Sequence, residues 1–346
     1  MTSTIILLPG DGVGPEVTDA TIDVLNAVAE KFSIDFSFQE FAFGGAAIDS
    51  QGDPAPRETI DACLEADAIF LGAVGGPKWD GAEKRPEMGI LQLRKELGVF
   101  ANLRPMIVQR GLEPFSPLKE TAVAGADILI VRELTGGIYF GEREEGVDVA
   151  SDLCTYSCDE VLRIARIAFQ AARGRKGIVT SVDKANVLAT SRLWRAVVTE
   201  LQQTEFQDIT LHHQLVDSMA MKLITNPQDF DVVLTENMFG DILSDEASVI
   251  AGSIGLSPSA SLGTDGPGLY EPIHGSAPDI AGQNKVNPIG AILSSAMMLR
   301  HSLNLEAPAK SIEDAVARAL QNGLRTADIG GTVACNEAAA HIAQLI

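Results

Sequence analysis

The 346-residue sequence predicts an α/β architecture with a large, mainly parallel central sheet. Short apolar segments bounded by polar or glycine-rich residues are typical of buried strands, and they alternate with longer amphipathic segments typical of helices. Such alternation favours helices packed on a parallel sheet. No internal repeat or long linker separates the segments, so two lobes joined by continuous sheet are expected. The strand segments are 4–8, 68–74, 127–134 and 231–236, and the helical segments include 16–32, 58–66 and 159–173.

The glycine-rich segment "PGDGVGP" (9–15) lies between the first strand and the first helix. This is the place of a dinucleotide-binding loop in a Rossmann fold. However, Gly10, Gly12 and Gly14 are spaced G-x-G-x-G, not G-x-G-x-x-G. An ordinary glycine-rich turn before a helix that opens with Pro15 is therefore favoured.

The composition is acidic, with 26 Lys and Arg against 47 Asp and Glu, a formal net charge of −21. Such a chain repels nucleic acid and anionic membranes over most of its surface, so neither is expected as a partner. An anionic ligand would need a local cluster of Arg or Lys. The N-terminus lacks a basic segment typical of a signal peptide. Four cysteines without a Cys-x-x-Cys motif favour reduced thiols and a cytoplasmic protein, although Cys154 and Cys158 could pair.

The segment "TENMFGDILSDEASVIAG" (235–252) is a largely apolar helix that carries Asp241 and Asp245 four residues apart. Like charges at this spacing repel on a helix surface. Either this stripe is solvated, or a positive partner lies against it. Asp217, which opens another helix, supplies a third carboxylate suited to Mg²⁺. The spacing of the three aspartates alone leaves two interpretations open, a metal site or three solvated helix caps.

The segment "RPEMGILQLRKELG" (85–98) predicts a helix with a mixed face. Glu87, Ile90, Leu91 and Arg94 share that face. An ordinary core face with charged ends is the simpler interpretation. The alternative is a ligand-binding face.

Arg94, Arg104 and Arg132 together suggest a pocket for a carboxylate ligand, since a guanidinium binds carboxylates bidentately. Arg132 lies in or at the end of an apolar strand, where an unpaired charge is costly. Tyr139 follows a double glycine and Lys184 precedes an apolar run, and both fit ordinary residues. A buried lysine near acids can, however, titrate near neutrality and act as a base.

The segment 268–290, "GLYEPIHGSAPDIAGQNKVNPIG", is expected to be an irregular loop. It carries His274, Ser276, Asp279 and Asn287. Long irregular loops in compact chains are usually functional.

Eight motifs in order resemble those of the β-decarboxylating dehydrogenases, the isocitrate/isopropylmalate dehydrogenase family. The resemblance covers essentially the whole chain. The motifs are "LLPGDGVGPEV", "GAVGGPKW", "RPEMGILQLRKELGVFANLRP", "RELTGGIYFGE", "DKANVL", "ENMFGDILSDEAS", "LSPSASLG" and "EPIHGSAPDIAGQNKVNP".

The resemblance implies the two-domain α/β fold of this family, which is not a Rossmann fold. Residues 1–99 and 252–346 would form a discontinuous NAD-binding domain. Residues 100–251 would form an inserted second domain with the dimer interface and the metal-site residues. A homodimer with active sites shared between subunits is expected.

The resemblance also implies residue roles. Asp217, Asp241 and Asp245 match Mg²⁺ or Mn²⁺ ligands, with Asp217 supplied by the partner subunit and also near the substrate. Tyr139 and Lys184 match the catalytic pair, with Lys184 again from the partner. Arg94, Arg104 and Arg132 match substrate-binding residues. The NAD-binding residues would be Gly75, Gly76, Glu87, His274, Gly275, Ser276, Ala277, Asp279, Ile280 and Asn287.

The implied activity is NAD⁺- and metal-dependent oxidative decarboxylation of a 2-hydroxy diacid. Close relatives act on isocitrate, homoisocitrate or tartrate. Here Ile90 and Leu91, with Val187 from the partner, would meet the substituent on C3, and these aliphatic side chains favour an isopropyl group. Glu87, on the same face, would repel a carboxylate on that substituent and would instead meet the nicotinamide ring. A non-enzymatic cation-binding protein would have no use for the arginines. Phosphoryl transfer lacks a Walker-type loop. The segment 141–146 and Ser218 depart from the usual family pattern.

Overall fold

The computed structural model describes residues 2–346, which divide into two compact units. Unit 1 comprises the residues up to Val99, together with Gln109–Phe115 and Gly252–Ile346. Unit 2 comprises Phe100–Val108 and Ser116–Ala251. Residues 109–115, which the sequence assigns to the inserted domain, pack with unit 1 instead.

The strands of residues 2–346 include two segments of two residues each and otherwise span four to nine residues. In chain order they are β1 (Thr2–Gly10), β2 (Asp35–Glu40), β3 (Ala68–Ala73), β4 (Ala101–Ile107), β5 (Asp127–Glu133), β6 (Arg143–Glu144), β7 (Ser151–Asp152), β8 (Ile178–Asp183), β9 (Thr210–Leu215), β10 (Val232–Thr235), β11 (Pro258–Leu262) and β12 (Gly268–Pro272).

The helices follow most strands, as an α/β architecture requires. In chain order they are α1 (Gly14–Phe32), α2 (Gly44–Gln51), α3 (Arg57–Glu65), α4 (Pro86–Leu97), α5 (Glu120–Val123), α6 (Cys158–Arg173), α7 (Ala189–Glu205), α8 (Val216–Thr225), α9 (Asn237–Ile250), α10 (Ile289–His301), α11 (Glu306–Gln321) and α12 (Cys335–Ala343). Within residues 2–346, every helix is too short or too polar to cross a membrane.

In unit 1 the strands follow the order β2-β1-β3-β12-β11. They are parallel except for the antiparallel pair of β11 and β12. The residues of β3 are buried throughout, as expected for a central strand covered on both faces. Helices α1, α10, α11 and α12 pack with one another beside these strands.

In unit 2 the strands follow the order β4-β5-β10-β8-β9. β4 runs antiparallel to β5, and the others are parallel. Thr235 at the end of β10 pairs with Arg132 on one side and Val182 on the other. The carboxyl ends of three strands therefore meet at one edge, where ligands of parallel sheets commonly bind.

Several predicted boundaries need correction. The segment 268–290 is not one irregular loop, because its first residues form β12 and α10 begins at Ile289. Helix α1 begins at Gly14, two residues before the predicted start. Strands β2, β4, β8, β9 and β11 were not predicted, because their sequences lack a long apolar run.

Candidate active site

Asp241 and Asp245 of helix α9 face arginines. The Arg132 guanidinium forms an ion pair with Asp241, and Arg104 Nη1 lies 3.5 Å from Asp241 and 3.4 Å from Asp245. The side chains of Asp241 and Asp245 are 35% and 58% exposed. Within this chain, the positive partners of the carboxylate stripe are therefore guanidinium groups on β4 and β5.

Both arginines are buried but well paired. Arg132 donates from Nε and Nη2 to Asn237 Oδ1 at 3.0 and 2.8 Å. Arg104 donates to Asn102 Oδ1 at 2.7 Å and to Ser244 Oγ at 2.6 Å. These bonds offset the desolvation of the guanidinium groups and fix their orientation.

Tyr139 closes this cluster. Its hydroxyl donates to Asp241 Oδ2 at 3.0 Å. Burial raises the pKa of the Tyr139 phenol, and the negative charge of Asp241 raises it further. The preceding turn depends on Gly137, whose φ of 72° is unfavourable for other residues. A Cβ there would lie 2.5 Å from the hydroxyl oxygen of Tyr156. Tyr139 is thus held as a neutral phenol beside a carboxylate.

Glu133 shapes the loop that leads to Tyr139, and sequence reasoning missed it. Its buried carboxylate accepts from Gly136 N at 2.7 Å and from Arg163 Nη2 at 3.0 Å. Burial raises the pKa of Glu133, and these donors partly oppose the rise. The available signal was the charged pair Arg132–Glu133 ending an apolar strand.

Lys184 forms an ion pair with Asp217, whose carboxylate is exposed. The hydrogen bond from Lys184 lowers the pKa of Asp217. The backbone of the lysine is held by Ser191 Oγ, which accepts from Lys184 N at 3.0 Å. Buried Asp183 accepts from Ala185 N at 2.8 Å and binds Arg195 through two bonds. This ion pair fixes the turn that presents Lys184.

In the described residues 2–346, no three His, Cys, Asp or Glu side chains group closely enough to hold a metal ion. Asp217 therefore does not join Asp241 and Asp245 within one chain. The donors of α9 are hard carboxylate oxygens, which suit Mg²⁺ or Mn²⁺ and leave positions for other ligands. They fit part of a metal site. That Asp217 comes from a partner subunit stays a prediction.

In unit 1, helix α4 begins with Pro86 and is capped by Gly98 with φ 64°. Arg94 Nη2 lies 2.8 Å from Glu271 Oε1, an acid that the sequence did not single out. In residues 2–346, the buried Nε of Arg94 has no hydrogen-bond partner. The Nε–H of Arg94 is thus an unpaired donor inside the structure of residues 2–346.

The residues on the mixed face of α4 differ in their exposure to solvent. Ile90 is 7% exposed and belongs to the core, whereas Leu91 is half-buried and Glu87 is exposed. In unit 2, Val187 is 62% exposed. Leu91, more than Ile90, is the aliphatic group of α4 available to a ligand.

The loop after β3 approaches Glu87 closely. Gly75 and Gly76 have φ values of 105° and 157°, and a Cβ at Gly75 would lie 2.9 Å from Glu87 Oε1. Gly75 N donates to Asp11 at 2.8 Å, as do Gly45 N and Ala46 N. Asp11 therefore connects this loop to the first turn of α2. Sequence reasoning took Asp11 only as part of a turn.

The segment 273–288 packs against the glycine-rich turn 9–15 between β1 and α1, since Val13 N donates to Ser276 O at 2.8 Å. His274 Nδ1 lies 2.9 Å from Gly275 O, and burial lowers the pKa of His274. In residues 2–346, its buried Nε2 has no partner. This nitrogen is a natural contact for a ligand, and fits the predicted cofactor loop.

The other predicted cofactor residues differ in exposure. Gly275 and Asp279 are exposed, Ala277 and Ile280 half-buried, and Ser276 buried. Asn287 is buried, and its amide binds Asp328 Oδ2 and Ile289 N, both at 3.0 Å. The Asn287 side chain thus accepts from the first backbone N–H of α10.

The family model described as isocitrate/isopropylmalate dehydrogenase matches residues 4–342. The chain belongs to this family. The match spans both units, and the resemblance read from the eight motifs is thereby confirmed.

Among curated members of the isocitrate/isopropylmalate dehydrogenase family, the chain is 57% identical to a 3-isopropylmalate dehydrogenase of Oleidesulfovibrio alaskensis, covering 97% of each chain. It is 58% identical to the 3-isopropylmalate dehydrogenase of Rhodopirellula baltica, covering 95% of this chain and 93% of the relative. These relatives share the full length of the protein, not one unit alone.

A solved isocitrate dehydrogenase of Methylococcus capsulatus is 33% identical to this chain. The two structures align with a TM-score of 0.90 over 99% of each chain. The predicted fold class, the α/β fold of the isocitrate/isopropylmalate dehydrogenase family, is confirmed.

Proposed function

We propose that this chain is a 3-isopropylmalate dehydrogenase of leucine biosynthesis. It would oxidise and decarboxylate 3-isopropylmalate to 4-methyl-2-oxopentanoate with NAD⁺ and Mg²⁺ or Mn²⁺. The observation that carries this proposal is the 57–58% identity, over nearly the whole chain, to proteins with that name.

The arginines would hold the substrate carboxylates. Arg104 and Arg132 are buried, fixed by neutral acceptors and close to the carboxylates of α9. Arg94 keeps an unpartnered Nε beside its ion pair with Glu271. A guanidinium held in this way pays little ordering entropy when it binds a carboxylate.

Asp241 and Asp245 would hold the divalent cation, completed by Asp217 of a partner subunit in a homodimer. When bound, the cation supplies Lewis-acid chemistry that acidifies the 2-hydroxyl group and stabilises negative charge on oxygen. The carboxylate oxygens of α9 are the donor type that these hard cations prefer.

The side-chain nitrogen of Lys184 would accept the proton of the 2-hydroxyl group, while C2 transfers hydride to NAD⁺. The Lys184–Asp217 contact and the Ser191 and Asp183–Arg195 supports keep this amine in one position. We assign the proton acceptor to the lysine of the partner subunit.

Tyr139 would protonate C3 after CO₂ leaves. A general acid must carry its proton at the working pH, and burial together with Asp241 raises the pKa of Tyr139. The Tyr139 hydroxyl bonds to Asp241, and the Arg132 guanidinium lies over the Tyr139 ring. The departing carboxylate would be bound beside these groups.

NAD⁺ would bind along the segment 273–288 and the loop at Gly75 and Gly76. His274 Nε2 offers a buried polar contact. Exposed Asp279 would accept from the adenosine ribose hydroxyls and repel a 2′-phosphate. The thiols of all four cysteines are free, which is compatible with the cytoplasmic location that we propose.

The test is NAD⁺ reduction by purified enzyme with a panel of 2-hydroxy diacids, with Mg²⁺ and with excess chelator. We expect 3-isopropylmalate to be preferred and turnover to require the cation. Full activity in chelator, or a preference for isocitrate, would contradict the proposal.

A further inference from the structure

We propose that Asn237 is a positioning residue that couples substrate binding to protonation, by holding Arg132 and the Tyr139 loop through opposite ends of one amide. This inference rests on the proposed function. Asn237 is the first residue of α9 and is 1% exposed.

The oxygen end of the amide serves Arg132. Asn237 Oδ1 accepts from Arg132 Nε at 3.0 Å and from Nη2 at 2.8 Å. These two donors lie on one edge of the planar guanidinium, so the pair of bonds fixes its rotation. Nη1 is directed to Asp241 instead.

The nitrogen end of the same amide serves the loop that carries Tyr139. Asn237 Nδ2 donates to Leu134 O and to Gly136 O, both at 3.1 Å. These carbonyls belong to the residues between Arg132 and Tyr139. The amide thus spans the loop from its start to the turn before the phenol.

The two ends of the amide are not interchangeable. Reversing the amide would set NH₂ against a guanidinium and oxygen against two carbonyls, so the orientation is dictated. The backbone N of Asn237 donates to Tyr156 Oη at 3.0 Å, which anchors the residue itself. All four hydrogen-bonding positions of the side chain are occupied, a fully satisfied buried group.

The decisive variant is Asn237→Asp, which keeps the shape and the acceptor oxygen. It places a second oxygen against Leu134 O and Gly136 O, and adds negative charge beside Arg132. We expect KM for 3-isopropylmalate to rise about tenfold to a hundredfold, since a hydrogen bond to a charged group is altered. We expect kcat to fall as the Tyr139 loop is displaced, while KM for NAD⁺ stays within about twofold.

The reciprocal exchange Asp231→Asn is the matched control. Asp231 is fully buried just before β10, at the opposite end of the strand, and pairs with Arg175 at 2.7 Å. It should lower thermal stability but leave both KM values and kcat of the folded enzyme unchanged. A merely structural Asn237 would behave like Asp231.

A double-mutant cycle with Arg132→Lys tests the coupling directly. Lysine retains the charge but loses the guanidinium edge that binds Asn237. In that background Asn237→Asp should add less to KM than it does in the parent enzyme, because interacting residues are not additive. Additive effects, or a KM for 3-isopropylmalate that Asn237→Asp does not change in active enzyme, would overturn the inference alone.

Asn237→Ser, which leaves room for water, applies the same test if the Asp variant does not fold. In Asn237→Ser, KM for 3-isopropylmalate should rise less than in Asn237→Asp, and KM for NAD⁺ should again stay nearly unchanged. Parent enzyme that neither turns over nor binds 3-isopropylmalate by calorimetry would overturn the proposed function and this inference together.

Discussion

Replacing Asp241 and Asp245 one at a time by Asn should abolish activity in both cases but destabilise the protein in only one. Both changes remove a proposed ligand of the cation, so turnover should fall by orders of magnitude. The stability of the metal-free protein should distinguish them, because the two carboxylates have different partners in the chain.

Asp241 is the carboxylate partner of Arg132, which is 2% exposed, and it also accepts from Tyr139. Removing one partner of a buried pair costs about 3–5 kcal/mol. Asp241 itself is 35% exposed, and Arg132 keeps its two bonds to Asn237, so a loss of about 1–3 kcal/mol is expected.

Asp245 is 58% exposed and lies 3.4 Å from Arg104, which also binds Asn102 and Ser244. Exposed pairs of this kind contribute about 0–1 kcal/mol. Asp245→Asn should therefore unfold at nearly the same urea concentration as the parent protein.

The assay is urea denaturation of chelator-treated protein, followed by Mg²⁺-dependent turnover of the same preparations. Asp241→Asn should show the lower midpoint, and both variants should be inactive at a Mg²⁺ concentration that saturates the parent. Equal stability of the two variants would refute the assignment of Asp241 as the partner of Arg132. Retained turnover in either would refute the cation site.

NAD⁺ should be clearly preferred over NADP⁺, and Asp279→Ser should narrow the gap in kcat/KM; equal use of both cofactors by the parent would show Asp279 to be misassigned. Burial raises the pKa of the Cys63 and Cys335 thiols to about 12, so thiol reagents should label exposed Cys158 first and these two only on unfolding, as peptide mapping would reveal. Leu91→Arg should reduce the preference for 3-isopropylmalate over isocitrate, which is expected to be about a hundredfold, and an unchanged ratio would place Leu91 away from the C3 substituent.

Local sequence signals predicted the helices of the candidate site well. Pro86 and Gly98 mark the ends of α4 because a missing N–H and a left-handed conformation are local properties. The carboxylate stripe of α9 follows from helical spacing alone. The apolar runs of β3, β5 and β10 identify strands buried on both faces.

Contacts between residues far apart in the chain could not be predicted from the sequence. Glu271 of β12 meets Arg94 of α4 across a long separation in the chain, and nothing near either residue in the sequence indicates the other. Asp11 and Glu133 act on backbone N–H groups, which leave no trace in side-chain patterns. Strand β11, "PSASL", has few large apolar residues and owes its place to its neighbours.

The charges of the α9 cluster explain why cation and substrate would act together. Arg104 and Arg132 carry two positive charges, and Asp241 and Asp245 carry two negative ones, so the cluster is balanced as the chain stands. A divalent cation alone would leave it two charges positive, and a dicarboxylate alone two charges negative. Bound together they restore the balance in a partly buried site, where net charge is costly. Each should therefore strengthen the binding of the other, since such coupling is reciprocal. An acidic chain can thus bind an acidic substrate without a large excess of positive charge at the site.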